Sequence, residues 1–216
     1  MMASRGHSTS GRPGRDKTRE KILRAAELLF AKEGFDRVTL RQIARASDQG
    51  NVAAVQYHFG SKDGLLSSIV DVHREAIDDR RRELLAEREA EGRGGDLAAL
   101  IEILVAPLAS KLDDPSGRAY LRIQAQGLSN ETMRPATRTV VQRIGRSLGS
   151  LDESALDPYR GRFALLLLFH ALADRAEGEE SGRAKRADRN AFVASLSRSL
   201  VGLFMPSLGN ERTRFD

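Results

Sequence analysis

The chain has 216 residues, with 35 Lys and Arg against 30 Asp and Glu, and no Cys. Disulfides and thiolate metal centres are therefore excluded, and a reducing, cytoplasmic setting fits. The start of the chain is basic without an apolar stretch, so it does not read as a secretory signal, and the apolar run at 163–169 is shorter than the ~20 residues a membrane helix needs.

The charge is uneven along the chain. Residues 1–62 hold 12 Lys and Arg against 6 Asp and Glu, whereas the remainder holds 23 against 24. The whole cationic excess sits in the first part, as expected of a segment that meets phosphates. Residues 1–15 are rich in Ser, Gly and Arg and lack apolar periodicity, so they read as a disordered basic arm. Arg5, Arg12 and Arg15 in it are of the kind that reaches into a minor groove.

A first helix is expected over 17–33, with Ile22, Ala26, Leu29 and Phe30 on one face and Gly34 as its stop. The stretch 39–62, TLRQIARASDQGNVAAVQYHFGSK, carries the densest local signals. Thr39 and Gln42 form a capping box, and Leu40, Ile43 and Ala44 follow at helical spacing. Ser47 to Asn51 are turn formers, with Gly50 able to take a positive φ cheaply. Asn51 is placed to cap a second short helix over 52–57. Two short helices joined this way form a helix-turn-helix, spanning about 39–58, whose second helix enters a DNA major groove.

The segment 16–66 resembles the DNA-binding domain of the TetR family of bacterial transcriptional regulators. The resemblance rests on Thr18 to Leu23, Ala26, Leu29-Phe30, Gly34-Phe35, Val38 to Ala44 and Tyr57-His58-Phe59-Gly60-Ser61-Lys62. It covers about a quarter of the chain, and the turn is about one residue longer than the usual Ala-Gly-Val-Ser. The resemblance implies that Tyr57 and His58 face phosphates while Phe59 packs inside. On chemistry, Arg41, Lys62 and the Tyr57 hydroxyl suit phosphate contacts, alongside Thr39 at the helix start. The amides of Asn51 and Gln56 can read adenine edges, and Val52 and Ala53 can meet a thymine methyl.

Beyond this, Ser61 is expected to cap a helix over 62–87 that buries Leu65, Leu66, Ile69, Val70, Ile77 and Leu84. The run at 91–95 is the clearest break. Asp96 then caps an amphipathic helix with Leu97, Leu100, Ile101, Leu104, Leu108 and Leu112 on its face and a kink at Pro107. A loop is expected at 113–117, then helices over 118–128 and 132–151, the latter with Pro135 near its first turn. An eighth helix begins at 157–158 and is apolar all round at 163–169, which asks for cover on both sides. A charged loop at 177–188 precedes a ninth helix over 190–204.

The fold class expected is all-α with about nine helices. A three-helix helix-turn-helix DNA-binding domain (16–62) precedes a helical effector-binding and dimerisation domain (63–216). Dimerisation through the last two helices is expected at Phe163, Leu166, Leu167, His170, Phe192, Leu196, Leu200 and Leu203. The resemblance implies an effector pocket in the C-terminal helices, where Tyr120, Gln124 and His170 are polar groups amid apolar ones. The four His residues are scattered, and there is neither a Glu-x-x-His pair nor a Gly-rich phosphate loop, so neither catalysis nor a cofactor or metal is expected. The function expected is a one-component transcriptional regulator, a repressor that binds a palindromic operator as a homodimer and is released by a small molecule. The alternative is a helical sensor or interaction protein without sequence-specific DNA binding.

Overall fold

The structure, a computed structural model, describes residues 13–127, 133–148 and 158–205. Among them are nine α-helices and two 3-10 turns, and no strand. The expected arm up to residue 12, and the ends of the helices expected over 118–128 and 132–151, lie outside the described residues. The chain divides into two compact units, Met1–Val70 and Asp71–Asp216.

In the first unit α1 spans Pro13–Glu33, α2 Leu40–Ala46 and α3 Val52–Phe59, and α4 (Lys62–Ala90) begins there. The first helix thus starts four residues before the expected position, on a Pro whose fixed φ suits a helix start. Ile22, Ala26 and Phe30 of α1 meet Val38, Ile43, Val55 and Leu65 in a fully buried core. Each element is closed by local hydrogen bonding. Gly34 takes φ 88° and returns its N–H to Phe30 O at 3.1 Å, ending α1. The Ser61 hydroxyl accepts the Gly64 N–H at 3.0 Å, opening α4 as its spacing predicts.

The second unit continues with α5 (Leu97–Ala109), α6 (Pro115–Ala125), α7 (Pro135–Ser147), α8 (Pro158–Glu180) and α9 (Arg189–Phe204). Here three expectations change. Residues 113–117 are not a loop. The chain passes from α5 through a 3-10 turn (Ser110–Asp113), and Asp114 caps α6 by accepting the Gly117 N–H at 2.8 Å, with Pro115 in the first turn. A Cβ at Gly117 would lie 2.2 Å from the Lys111 carbonyl oxygen, so this tight corner requires glycine. Likewise α8 runs on to Glu180, into the segment expected to be a charged loop.

The third change concerns burial. α5, expected to be amphipathic, is buried nearly all round, since Ala99, Ile103, Val105 and Pro107 are covered as well as Leu100, Ile101 and Leu108. α8 hides Ala164, Leu168, Leu172 and Ala176 at four-residue spacing within its own chain and leaves Phe163, Leu165, Leu166 and Leu167 exposed, the side for which cover from a partner is expected. In α4 the inward leucine is Leu85 rather than Leu84.

Polar contacts fix the helices against one another. Asp78 of α4 accepts the Ala136 and Thr137 N–H groups, at 3.1 and 2.8 Å, where α7 begins, and the Thr137 hydroxyl at 2.9 Å. Burial pushes its carboxyl up, but these donors and nearby Arg81 outweigh burial and hold it below its ordinary value. Arg81, itself buried, donates to Leu104 O at 2.9 Å and to Thr137 Oγ1 at 2.8 Å. Burial drives its guanidinium down to about 10. Farther along, Glu179 of α8 accepts from Arg189 and, at 2.8 Å, from Arg175, while Glu180 accepts from Arg118 and Arg122 of α6.

The Glu179 carboxyl is held down to about 2, first by its hydrogen bond from Arg189, against burial and with help from Arg175. Its folded value lies below the ordinary 4.5, so the stability it contributes is complete above that pH and lost as pH falls toward 2. The contribution is up to about 3 kcal/mol. Urea unfolding between pH 2.5 and 7 should show a shallower acid loss for Glu179→Gln than for the parent protein, and parallel curves would refute the assignment.

Candidate nucleic-acid interface

The helix-turn-helix is built from caps that the local sequence specifies. The Thr39 hydroxyl accepts the Gln42 N–H at 3.3 Å while Gln42 Oε1 accepts the Thr39 N–H at 2.8 Å, closing the capping box. Asn51 Oδ1 accepts the Ala53 N–H at 2.9 Å and opens α3. Between them the left-handed residue is Asp48, at φ 57°, and not Gly50. A short polar side chain tolerates that conformation, and the Asp48 carboxylate stays exposed with Lys21 at 3.9 Å.

α3 is anchored through one buried side chain, Val55. Opposite it Ala53, Gln56 and Tyr57, at helical spacing, are exposed, with Tyr57 67% accessible. Asn51 is exposed as well, but its oxygen is used by the cap, so its NH₂ is the part left for a base. Val52 and His58 are half-buried. Arg41 is exposed on α2, and its guanidinium has no hydrogen bond or ion pair among the described residues.

Lys62 is placed differently from the sequence expectation. Its ammonium donates to the Phe35 and Val38 carbonyls at 3.0 and 3.1 Å and sits 4.3 Å from the Phe35 ring centroid. Two of its three N–H groups are thus spent inside the unit. Phe59 is half-buried, its ring covered by the Arg19 guanidinium at 5.3 Å. Sequence reading also missed how Arg15 is held. It lies over the Tyr57 ring at 4.8 Å, which brings the start of α1 beside the end of α3. No local spacing signals a contact between residues so far apart in the chain.

In the second unit Tyr120 and Gln124 are buried on α6, and Tyr120 stacks on His73 with ring centroids 4.5 Å apart. His170 is exposed on α8, its Nδ1 3.0 Å from Leu166 O. Of the residues expected at a dimer interface, Phe163, Leu166, Leu167 and His170 are exposed, and Phe192 and Leu203 are half-buried. Leu196 and Leu200 are buried within their own chain and offer no area to a partner. Among the described residues no three His, Asp or Glu side chains are grouped to hold a metal ion, and no helix is long and apolar enough to cross a membrane.

A capped turn between two short helices, with a three-residue exposed face on the second, defines a helix-turn-helix at the head of the described helices. Residues 22–69 match the family profile described as bacterial regulatory proteins, tetR family. The chain is 39% identical over 56 residues to the HTH-type transcriptional repressor NicS of Pseudomonas putida, covering 26% of each protein. It is 32% identical over 106 residues to the HTH-type transcriptional regulator AcrR of Shigella flexneri, covering 49% of this chain and 47% of that one. These matches span a quarter to a half of the relatives' length. In fold the chain is similar to a solved tetR family transcription regulator from Shewanella sp. PV-4, at a TM-score of 0.54 and 20% identity, covering 84% of this chain and 97% of the other. The likeness to tetR-family regulators is thus one of sequence over residues 22–69 and of fold over most of the chain.

The inward ammonium yields a stability prediction. Removing a charged donor from two carbonyls should cost about 2 kcal/mol, so Lys62→Met should lower the thermal midpoint of the protein measurably. Arg41→Ala should leave it nearly unchanged. Equal midpoints for Lys62→Met and the parent would show that the lysine is free to serve DNA alone.

Proposed function

We propose that the chain is a one-component transcriptional regulator that binds a palindromic operator as a homodimer, acts as a repressor, and is released by a small-molecule effector. The observation that carries the reading is the face of α3. Ala53, Gln56 and Tyr57 stand exposed and adjacent on a helix capped by Asn51 and pinned by Val55. A helix held at one face and bare at the other is what insertion into a major groove requires. Residues 16–62 form the reading head, and residues 63–216 the effector-binding and dimerisation domain.

Roles divide by chemistry. Gln56 offers an amide that pairs with an adenine edge, the NH₂ of Asn51 offers a donor, and Val52 and Ala53 offer methyl contacts. Arg41, Tyr57, His58 and Thr39 meet phosphates and set register, with Arg15 beside Tyr57 adding charge to the same strand. Lys62 serves chiefly by holding α4 to the preceding turn. The dimer forms on the exposed apolar face of α8, at Phe163, Leu166 and Leu167, since contiguous exposed leucine and phenylalanine call for a partner.

Selection of bound sequences from random duplex DNA tests the first half. The expected result is a two-fold symmetric consensus, with Gln56→Ala losing preference at one position per half-site. Arg41→Ala should instead weaken all sequences alike and reduce the salt slope by about 1. Absence of any enriched sequence at moderate salt would remove the operator-binding reading. For the second half, Leu166→Glu should sediment as a monomer and bind a full operator no better than a half-site. A dimer that survives this charge on each subunit would move the interface elsewhere.

A further inference from the structure

A groove of about 780 Å³ runs along the second unit between α4, α5 and α9. Its origin is side-chain size. α5 is otherwise covered, and it meets solvent at Ala98, Glu102 and Ala106, one residue per turn, with Ser110 just beyond its end. All four line the groove, and α9 faces them with Val193, Ala194, Ser197 and Val201. Small residues opposite small residues leave a gap that larger ones would fill at normal packing density. The volume is within the range of small-molecule sites, about 300–1,000 Å³. Neither Tyr120, Gln124 nor His170 lines it.

The two ends of the groove differ. Asp113, beyond the end of α5, pairs with Arg189 at the start of α9 at 2.6 Å, so the two helices run antiparallel along the groove. That end is electrically complete, because Arg189 also binds Glu179. The other end holds Arg88 of α4, Glu102 of α5 and Arg198 of α9. Arg88 is paired with Glu91 at 2.6 Å, and Glu102 adds to the field on the same guanidinium. Arg198 is exposed, and its guanidinium has no ion pair or hydrogen bond among the described residues. Glu102 is exposed and likewise has no ion pair or hydrogen bond among the described residues, so the groove is lined by three arginines against two carboxylates, and the surplus cation lies at this end.

We infer that this groove binds an elongated, largely apolar molecule carrying one anionic group, its body along Ile103, Ala106, Val193 and Ala194 and its anion on Arg198. The trough from Ala98 to Ala109 is about 16 Å long at 1.5 Å per helical residue. Arginine's planar fork suits a carboxylate, and a charge-assisted hydrogen bond is worth roughly twice a neutral one. That such a ligand releases DNA rests on the proposed regulator function, but its binding does not.

The test uses a dansyl-labelled C11 carboxylate and its uncharged methyl ester, with dansyl emission as the readout in a protein that has no Trp. The parent protein should bind the carboxylate saturably and about tenfold more tightly than the ester. Arg198→Gln should bind the two probes alike. Ala106→Trp and Ala194→Trp, which fill the trough from opposite walls, should each bind neither, with helical circular dichroism unchanged. Three results would each overturn the inference: no saturable binding by the parent, equal affinity for acid and ester, or binding retained in both Trp variants that keep their helical signal. Operator binding is measured on the same proteins. If operator binding is intact without probe binding, the groove assignment alone fails. Probe binding without any operator binding defeats the regulator reading and leaves the groove.

Discussion

The Lys62 ammonium ties the start of α4 to the turn that precedes α2. Two carbonyls, of Phe35 and Val38, end a turn that leads straight into the α2 cap, and both accept from this one side chain. An eight-residue helix such as α3 is too short to hold itself in water, where helices below about 12 residues are marginal. Its place is set from outside, by Val55 in the core and by the turns at each end. Because Lys62 opens α4 and grips the turn before α2, it closes the unit around α3 at the point where the chain leaves it. The Phe35 ring beneath the ammonium adds a cation–π contact to those hydrogen bonds.

Charge is distributed by the same economy. In the second unit the arginines are largely consumed by the fold. Arg118 and Arg122 hold Glu180, Arg175 and Arg189 hold Glu179, and Arg134 and Arg143 hold Asp71 and Glu89. In the first unit Arg15 and Arg19 lie over aromatic rings, and the guanidiniums of Arg41 and Arg45 have no partner among the described residues. An arginine stacked on a ring keeps its donors for a phosphate. These four arginines are thus available donors as well as charges.

What could be read from the chain was what is decided within a few residues. Thr39 with Gln42, Asn51, Ser61 and Asp96 each announce a helix start, because the cap is a hydrogen bond to a backbone group two or three residues away. What could not be read depended on distant neighbours. Lys62 looked like a phosphate contact because nothing near it in sequence reveals the Phe35 carbonyl. The apolar patterns of α5 and α8 are both nearly continuous, and periodicity cannot say which helix ends inside the unit and which on its surface. Asp48 rather than Gly50 took the positive φ because the turn's hydrogen bonds, from Asp48 N–H to Arg45 and from Gln49 N–H to Ala44, fix the bend two residues earlier.

The groove and the reading head share one helix, since α4 begins with Lys62 and carries Leu84 and Arg88. Shared covalent structure is not itself coupling. A ligand shifts DNA affinity only by as much as its own affinity differs between the DNA-bound and DNA-free states. Tenfold release needs a difference of about 1.4 kcal/mol, to which contacts with α4 can contribute. Arg88 is the natural place, because its guanidinium already lies between Glu91 and the field of Glu102. A ligand anion that also reached Arg88 would compete with Glu91 for that guanidinium at the last turn of α4. A ligand that bound both states equally would release nothing, however tightly it bound.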